Sequence, residues 1–109
     1  MAKVHSKDDL LIVLTTEADL NKAKFLANSL LDLKLVACVS LSKVHSFYMW
    51  EGNKEENKEV QLLMKTSINK KYKLQKAINE LHSYETPELI GWNAEASDAY
   101  SQWLLKSLY

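Results

Sequence analysis

The side chains able to do chemistry in this 109-residue chain are few: three histidines, one cysteine at position 38, five tyrosines and fourteen carboxylates. One short stretch concentrates them. His82, Tyr84, Glu85 and Glu88 all fall inside "HSYETPELI", which also carries the only proline, Pro87. A neutral imidazole is the commonest side-chain ligand for copper and zinc, and a thiolate attracts soft Cu(I), so His82, Glu85 and Cys38 are the candidate metal ligands. One imidazole is not a site, because transition-metal centres draw three or four suitable donors. The structural readings stand beside the chemical ones. His82 suits the C-terminus of a helix, facing its last carbonyls, and Cys38 sits beside Val36, Ala37 and Val39 as a small buried strand residue would. Pro87 disfavours helix at Thr86 and lacks an amide donor, so Ser83 to Pro87 reads first as the exit from a helix into a strand.

A second set is aromatic. Tyr48, Trp50, Tyr84, Trp92 and Trp103 are suited to enclosing an apolar cleft, with Glu59 and Lys65 supplying polar contacts, while Tyr84, Glu85 and Glu88 are candidates for anchoring the Ser83 to Pro87 turn at a subunit boundary. Core and interface packing would use the same aromatics. Glu59 and Lys65 share one strand face, yet about 20 Å of extended chain separates them, so each needs another partner. Catalysis has little to stand on. There is no nucleophile elbow or phosphate-cradling loop, Gly52 and Gly91 are the only glycines, and Glu55 with Glu56 reads as a solvated hairpin tip.

The fourteen basic residues, all lysine, cancel the fourteen acidic ones, which removes the positive field that nucleic acid or an anionic membrane requires. The absence of arginine also removes the bidentate fork that grips guanine edges and phosphates. We therefore expect no nucleic-acid partner and no membrane association. A lone cysteine excludes an intrachain disulfide and fits a reducing compartment. The N-terminal stretch has acidic residues before a short apolar run and no small-residue cleavage site, so the expected location is cytoplasmic.

These residues must be positioned by elements that the periodicity outlines. "LLIVLTT" (Leu10 to Thr16) reads as a strand buried on both faces, preceded by a flexible N-terminal extension over residues 1–8. Leu20, Ala23, Leu26, Ala27, Leu30 and Leu31 recur at helical spacing, with Thr16 and Asp19 placed like a capping box. Phe25 falls on the opposite face of that helix. Leu35 to Trp50 reads as one long strand whose apolar phase shifts from odd to even positions, which predicts a bulge near Ser42 and Lys43. "EGNKEEN" (Glu51 to Asn57) is a hairpin loop, and "KEVQLLMKT" alternates as a third strand. A helix over about Asn69 to Leu81, a strand over Glu88 to Ala94, and a helix capped by Ser97 with Tyr100, Trp103, Leu104 and Leu108 on one face complete the order. The fold class is α+β: a single domain over 1–109, ferredoxin-like βαββαβ with an additional C-terminal helix.

"KLVACVSL", "SFYMWEGN", "EVQLLMKT", "HSYETPELI" and "YSQWL", in this order and spacing, resemble the CutA divalent-cation-tolerance family over nearly the whole chain. The resemblance implies a homotrimer similar in architecture to the PII proteins, no enzymatic reaction, and a part in tolerance of copper and other divalent cations, some members binding copper. Animal relatives are associated with membrane anchoring of acetylcholinesterase. No cofactor is obligatory on this reading, and copper or another divalent cation is a weakly held ligand. Copper-binding members can show two adjacent histidines and a cysteine at the end of the first strand. This chain has Leu81 before His82, with Thr15 and Thr16 in place of the thiol. The alternative implied by the PII likeness is a signalling or scaffold trimer that takes a small anionic metabolite or a protein partner at the intersubunit cleft, with Lys65 facing the anion.

Overall fold

The computed structural model describes residues 10–109; the N-terminal extension expected over residues 1–8 lies outside them. β1 (Leu10–Glu17) is apolar on both faces because both are covered. Leu11 and Val13 pack under two helices, and Leu10 and Ile12 pack under a third. α1 (Leu20–Asp32) buries Ala23, Leu26, Ala27 and Leu30, a narrower stripe than the sequence suggests, since Leu20 and Leu31 are exposed. Its N-cap is Asp19, whose carboxylate accepts from the Lys22 amide at 2.8 Å. Thr16 is still strand, so the expected Thr16–Asp19 capping box is replaced by a single Asp cap. The helix ends in a Schellman motif: the Leu35 amide bonds the Leu30 carbonyl, the Lys34 amide bonds Leu31, and Lys34 takes the left-handed conformation at φ 59°.

β2 (Cys38–Trp50) and β3 (Asn53–Ser67) form a long hairpin. Their register runs without interruption from Cys38 opposite Lys65 to Trp50 opposite Asn53, so the bulge expected near Ser42 and Lys43 is absent. The phase change has a different cause. Val39 and Leu41 pack against the helix-covered core, while Val44, Tyr48 and Trp50 alternate onto the opposite face farther out along the hairpin. The covered face changes along an unbroken strand. The hairpin loop is also shorter than expected. Glu51 and Gly52 alone make the turn, both at positive φ (49° and 80°), as a two-residue turn of the I′ type requires. Residues 53–57, expected as loop, are strand.

A 3-10 turn over Ile68–Lys70 leads into α2 (Lys71–Leu81), which buries Leu74, Ala77 and Ile78 beside α1. β4 (Ile90–Ala94) starts two residues later than expected. α3 (Asp98–Leu108), capped by Ser97 through the Tyr100 amide, buries Leu104 and Leu108 on Leu10 and Ile12. Tyr100 and Trp103 stay partly exposed against each other, with ring centroids 5.4 Å apart. The sheet order is β2-β3-β1-β4, all antiparallel, the ferredoxin-like arrangement with α1 and α2 on one face and α3 on the other.

β1 pairs with β3 only as far as Glu17 opposite Val60. Asn53 to Glu59 therefore have only β2 beside them and project with it as an arm, which stretches the subunit to 50 × 27 × 22 Å.

Candidate functional site

β1 ends where α2 ends, and this meeting point gathers most of the polar side chains that the sequence singles out. His82 is the first residue past α2 and leaves the helix in an extended conformation, which turns its ring back toward β1. Nε2 lies 2.7 Å from the Thr16 carbonyl, and Nδ1 is 3.0 Å from the Tyr84 amide. Since the amide can only donate and the carbonyl only accept, Nδ1 is bare and Nε2 carries the proton. The hydroxyl of Thr15 donates to the Glu88 carbonyl, so its oxygen accepts a second branch from Nε2–H at 3.2 Å. Both ring nitrogens are engaged.

Glu17 completes this node from the end of β1. It is 1 % exposed and accepts from the Ser83 amide (2.9 Å), the Ser83 hydroxyl and the Ala18 amide (3.1 Å). Its Oε2 also lies 3.4 Å from His82 Nδ1, which has no hydrogen to offer in this tautomer. Sequence reasoning missed Glu17 altogether. The available signal is a carboxylate closing an otherwise apolar strand, but nothing local couples it to residues 66 positions on.

Tyr84 reaches Glu59 on the face of the sheet opposite α1 and α2. Its hydroxyl donates to Glu59 Oε2 at 2.6 Å, and burial first, then the bond to and charge of Glu59, push the phenol well above its ordinary value. This pair forms one end of an open groove of about 890 Å³ that runs out along the arm. Tyr48, Trp50, Glu59, Tyr84 and Glu88, all expected at a cleft, line it, together with Asn57 and with Thr16 and Glu55, for which the sequence suggested a helix cap and a solvated hairpin tip. Tyr48 is held by the amide of Asn57 across the hairpin. Lys65 and Trp103, expected with them, do not line the groove: Lys65 sits opposite Cys38 at the far end of the hairpin, and Trp103 packs beside Tyr100 on α3.

These residues sit in a chain whose residues 11–107 match the family model described as CutA1 divalent ion tolerance protein. The divalent-cation tolerance protein CutA of Pectobacterium atrosepticum is 39% identical over 102 residues, spanning 92% of this chain and 93% of that one. The chain belongs to the CutA1 family. Solved CutA structures share its fold. That of Synechococcus elongatus superposes with a TM-score of 0.90 at 33% identity, covering 96% of this chain and 95% of its own. The structure described as the periplasmic divalent cation tolerance protein CutA of Archaeoglobus fulgidus gives 0.88 at 28% identity, over 92% of this chain and 99% of its own.

Within this one chain the three candidate metal ligands are apart. Cys38 opens β2 opposite Lys65, which in turn lies opposite Ile12, whereas His82 binds at Thr15 and Thr16. Two strand spacings across and three to four residues along place them roughly 15 Å from each other. Glu85 is exposed on the loop after His82. No group of three or more His, Cys, Asp or Glu side chains among the described residues is disposed to hold a metal ion.

Proposed function

We propose that this chain is a divalent-cation tolerance protein that acts as a cytoplasmic homotrimer and holds copper or another divalent cation weakly, without a catalytic step of its own. The observation that carries this reading is the match to the CutA1 model along almost the whole chain, combined with the same fold in solved members. A lone free cysteine supports the reducing compartment. No helix among the described residues is long and apolar enough to cross a membrane.

The arm supports the assembly. Phe47, Met49 and Trp50 are more than half exposed on it, and β2 presents a long open edge. Such a surface calls for cover by another strand or chain. By strand alternation Lys43, Lys54 and Lys58 take one face of the arm while Glu55 and Glu59 take the other. Opposite charge on two faces suits a head-to-tail contact, the kind that closes into a ring. Metal binding is accordingly assigned to contacts between subunits, where Cys38 and Glu85 can meet donors from another copy. His82 can join them only by giving up a ring nitrogen that now bonds the backbone.

The test is growth on graded Cu(II), Co(II) and Zn(II) of cells lacking their own member of this family, with and without this chain. A raised tolerated concentration of at least one cation is expected; identical growth curves at matched expression would overturn the reading.

A further inference from the structure

Fourteen lysines cancel fourteen carboxylates over the whole chain, but not face by face. The layer formed by α1 and α2 is cationic. Lys22 and Lys24 are exposed on α1, Lys34 just past its end, and Lys71, Lys73 and Lys76 on α2, against the carboxylates of Asp19, Asp32 and Glu80. Asp19 is already engaged as the cap of α1. Among the described residues no lysine comes within ion-pair distance of a carboxylate, and Lys70 alone stacks on a ring, that of Tyr109.

Folding does not call for this arrangement. The N-terminal end of a helix is its positive pole and favours carboxylates in the first turn. Neither helix has an acidic residue there. α2 instead places Lys71 and Lys73 at that end, and α1 places Lys22 and Lys24 near its own. The same layer leaves two large rings in water, Phe25 at 59 % exposure and Tyr72 at 83 %. Each lies on the side of its helix opposite the buried stripe. α1 leaves the end of β1 and α2 returns to it, so the helices run antiparallel and the two rings stand roughly 10–15 Å apart. The features that call for another subunit, the arm and the free edge of β2, lie elsewhere.

A partner that complements this face is anionic and extended. Lysine ammonium groups are point charges on flexible stems and lack the fork that holds a phosphate bidentately, which favours carboxylates spread along a chain over a single phosphate group. Two rings set apart among charged and amide side chains are too little apolar surface to seat both helices in a bilayer. They suit a chain in which acidic residues alternate with apolar ones. We propose that the α1–α2 face docks an acidic polypeptide segment of a partner protein, its carboxylates on Lys22, Lys24, Lys71 and Lys73 and its apolar side chains against Phe25 and Tyr72.

The experiment follows the fluorescence anisotropy of a short dye-labelled peptide, rich in Glu with interspersed Leu, as the full-length protein is added. Saturable binding that weakens as salt rises is expected, with none for the same peptide carrying Gln in place of Glu. Lys71→Glu combined with Lys73→Glu should weaken the affinity at least tenfold, and Phe25→Ala several-fold. Lys106→Glu, on α3 across the sheet, should leave it unchanged. The paired substitution puts carboxylates at the positive pole of α2, so it should melt no lower than the wild type, and its loss of binding is then not a loss of structure. Four outcomes overturn the proposal: no saturation, equal binding of the Gln peptide, an equal loss in Lys106→Glu, or tighter binding of phosphatidylserine vesicles or a single-stranded RNA oligomer than of the acidic peptide.

Discussion

The Nε2–H of His82 donates to the main-chain carbonyl of Thr16 at 2.7 Å, tying the residue that follows α2 to the end of β1. With Nδ1 accepting from the Tyr84 amide, the imidazole acts as a bracket between strand and loop. The residue most suggestive of metal chemistry is thus first a structural one, and it holds in place the loop that carries Tyr84 and Glu88 to the groove.

Removing that bracket should be expensive. His82→Ala leaves the Thr16 carbonyl and the Tyr84 amide without their partners and opens a cavity beside Glu17, for an expected loss of about 3 kcal/mol. Glu17→Gln retains the shape but turns one acceptor oxygen into a donor facing Ser83 or Ala18, an expected loss of about 2 kcal/mol. Chemical denaturation measures both. A loss below about 0.5 kcal/mol for His82→Ala would show that the bracket carries no stability.

The phenol of Tyr84 gives a pH signature. Its value in the folded protein is raised above the ordinary 10.0, by burial and by Glu59, so the unfolded chain releases this proton first as pH rises. The stabilisation is therefore complete below about pH 10 and is lost progressively above it. Stability curves from pH 8.5 to 11.5 should fall more steeply for the wild type than for Tyr84→Phe, which has no proton to lose. Parallel curves would contradict the Tyr84–Glu59 contact.

Two backbone positions offer gains. Lys34 (φ 59°) and Glu51 (φ 49°) occupy the left-handed region without being glycine. Lys34→Gly completes the Schellman motif with its preferred residue, and Glu51→Asn gives the Asn-Gly pair favoured by the two-residue turn; each should raise stability by roughly 0.5–1 kcal/mol. Gly52→Ala should lower it by about 1 kcal/mol through strain alone, since nothing lies within 4 Å of the added Cβ. Thermal or denaturant melts distinguish the three.

These positions also explain what the sequence made legible. The strands, the helices and their ferredoxin-like order follow from periodicity because β1 and the stripes of α1 and α2 are buried in the expected places. The turn at Lys34 carries no glycine or asparagine signal, so that helix stop was hidden, whereas Gly52 marked the hairpin loop but not its two-residue length. The phase shift in β2 was visible, but alternation alone does not distinguish a bulge from a change in which face is covered. The groove was partly legible because Tyr48 and Trp50 alternate onto one face of β2 and Glu59 onto the polar face of β3, and the pairing puts these on the same side of the hairpin. The bracket was not. Glu17 and His82 lie far apart in the chain and come within 3.4 Å only in the folded structure.

The open arm, the free edge of β2 and the separated metal donors are the features that the proposed trimer would cover or complete. Sedimentation equilibrium on the full chain tests it directly. Subunits of 12.5 kDa should sediment as a single species of about three times that mass. A stable monomer of 12.5 kDa would contradict the trimer and with it any metal site shared between subunits.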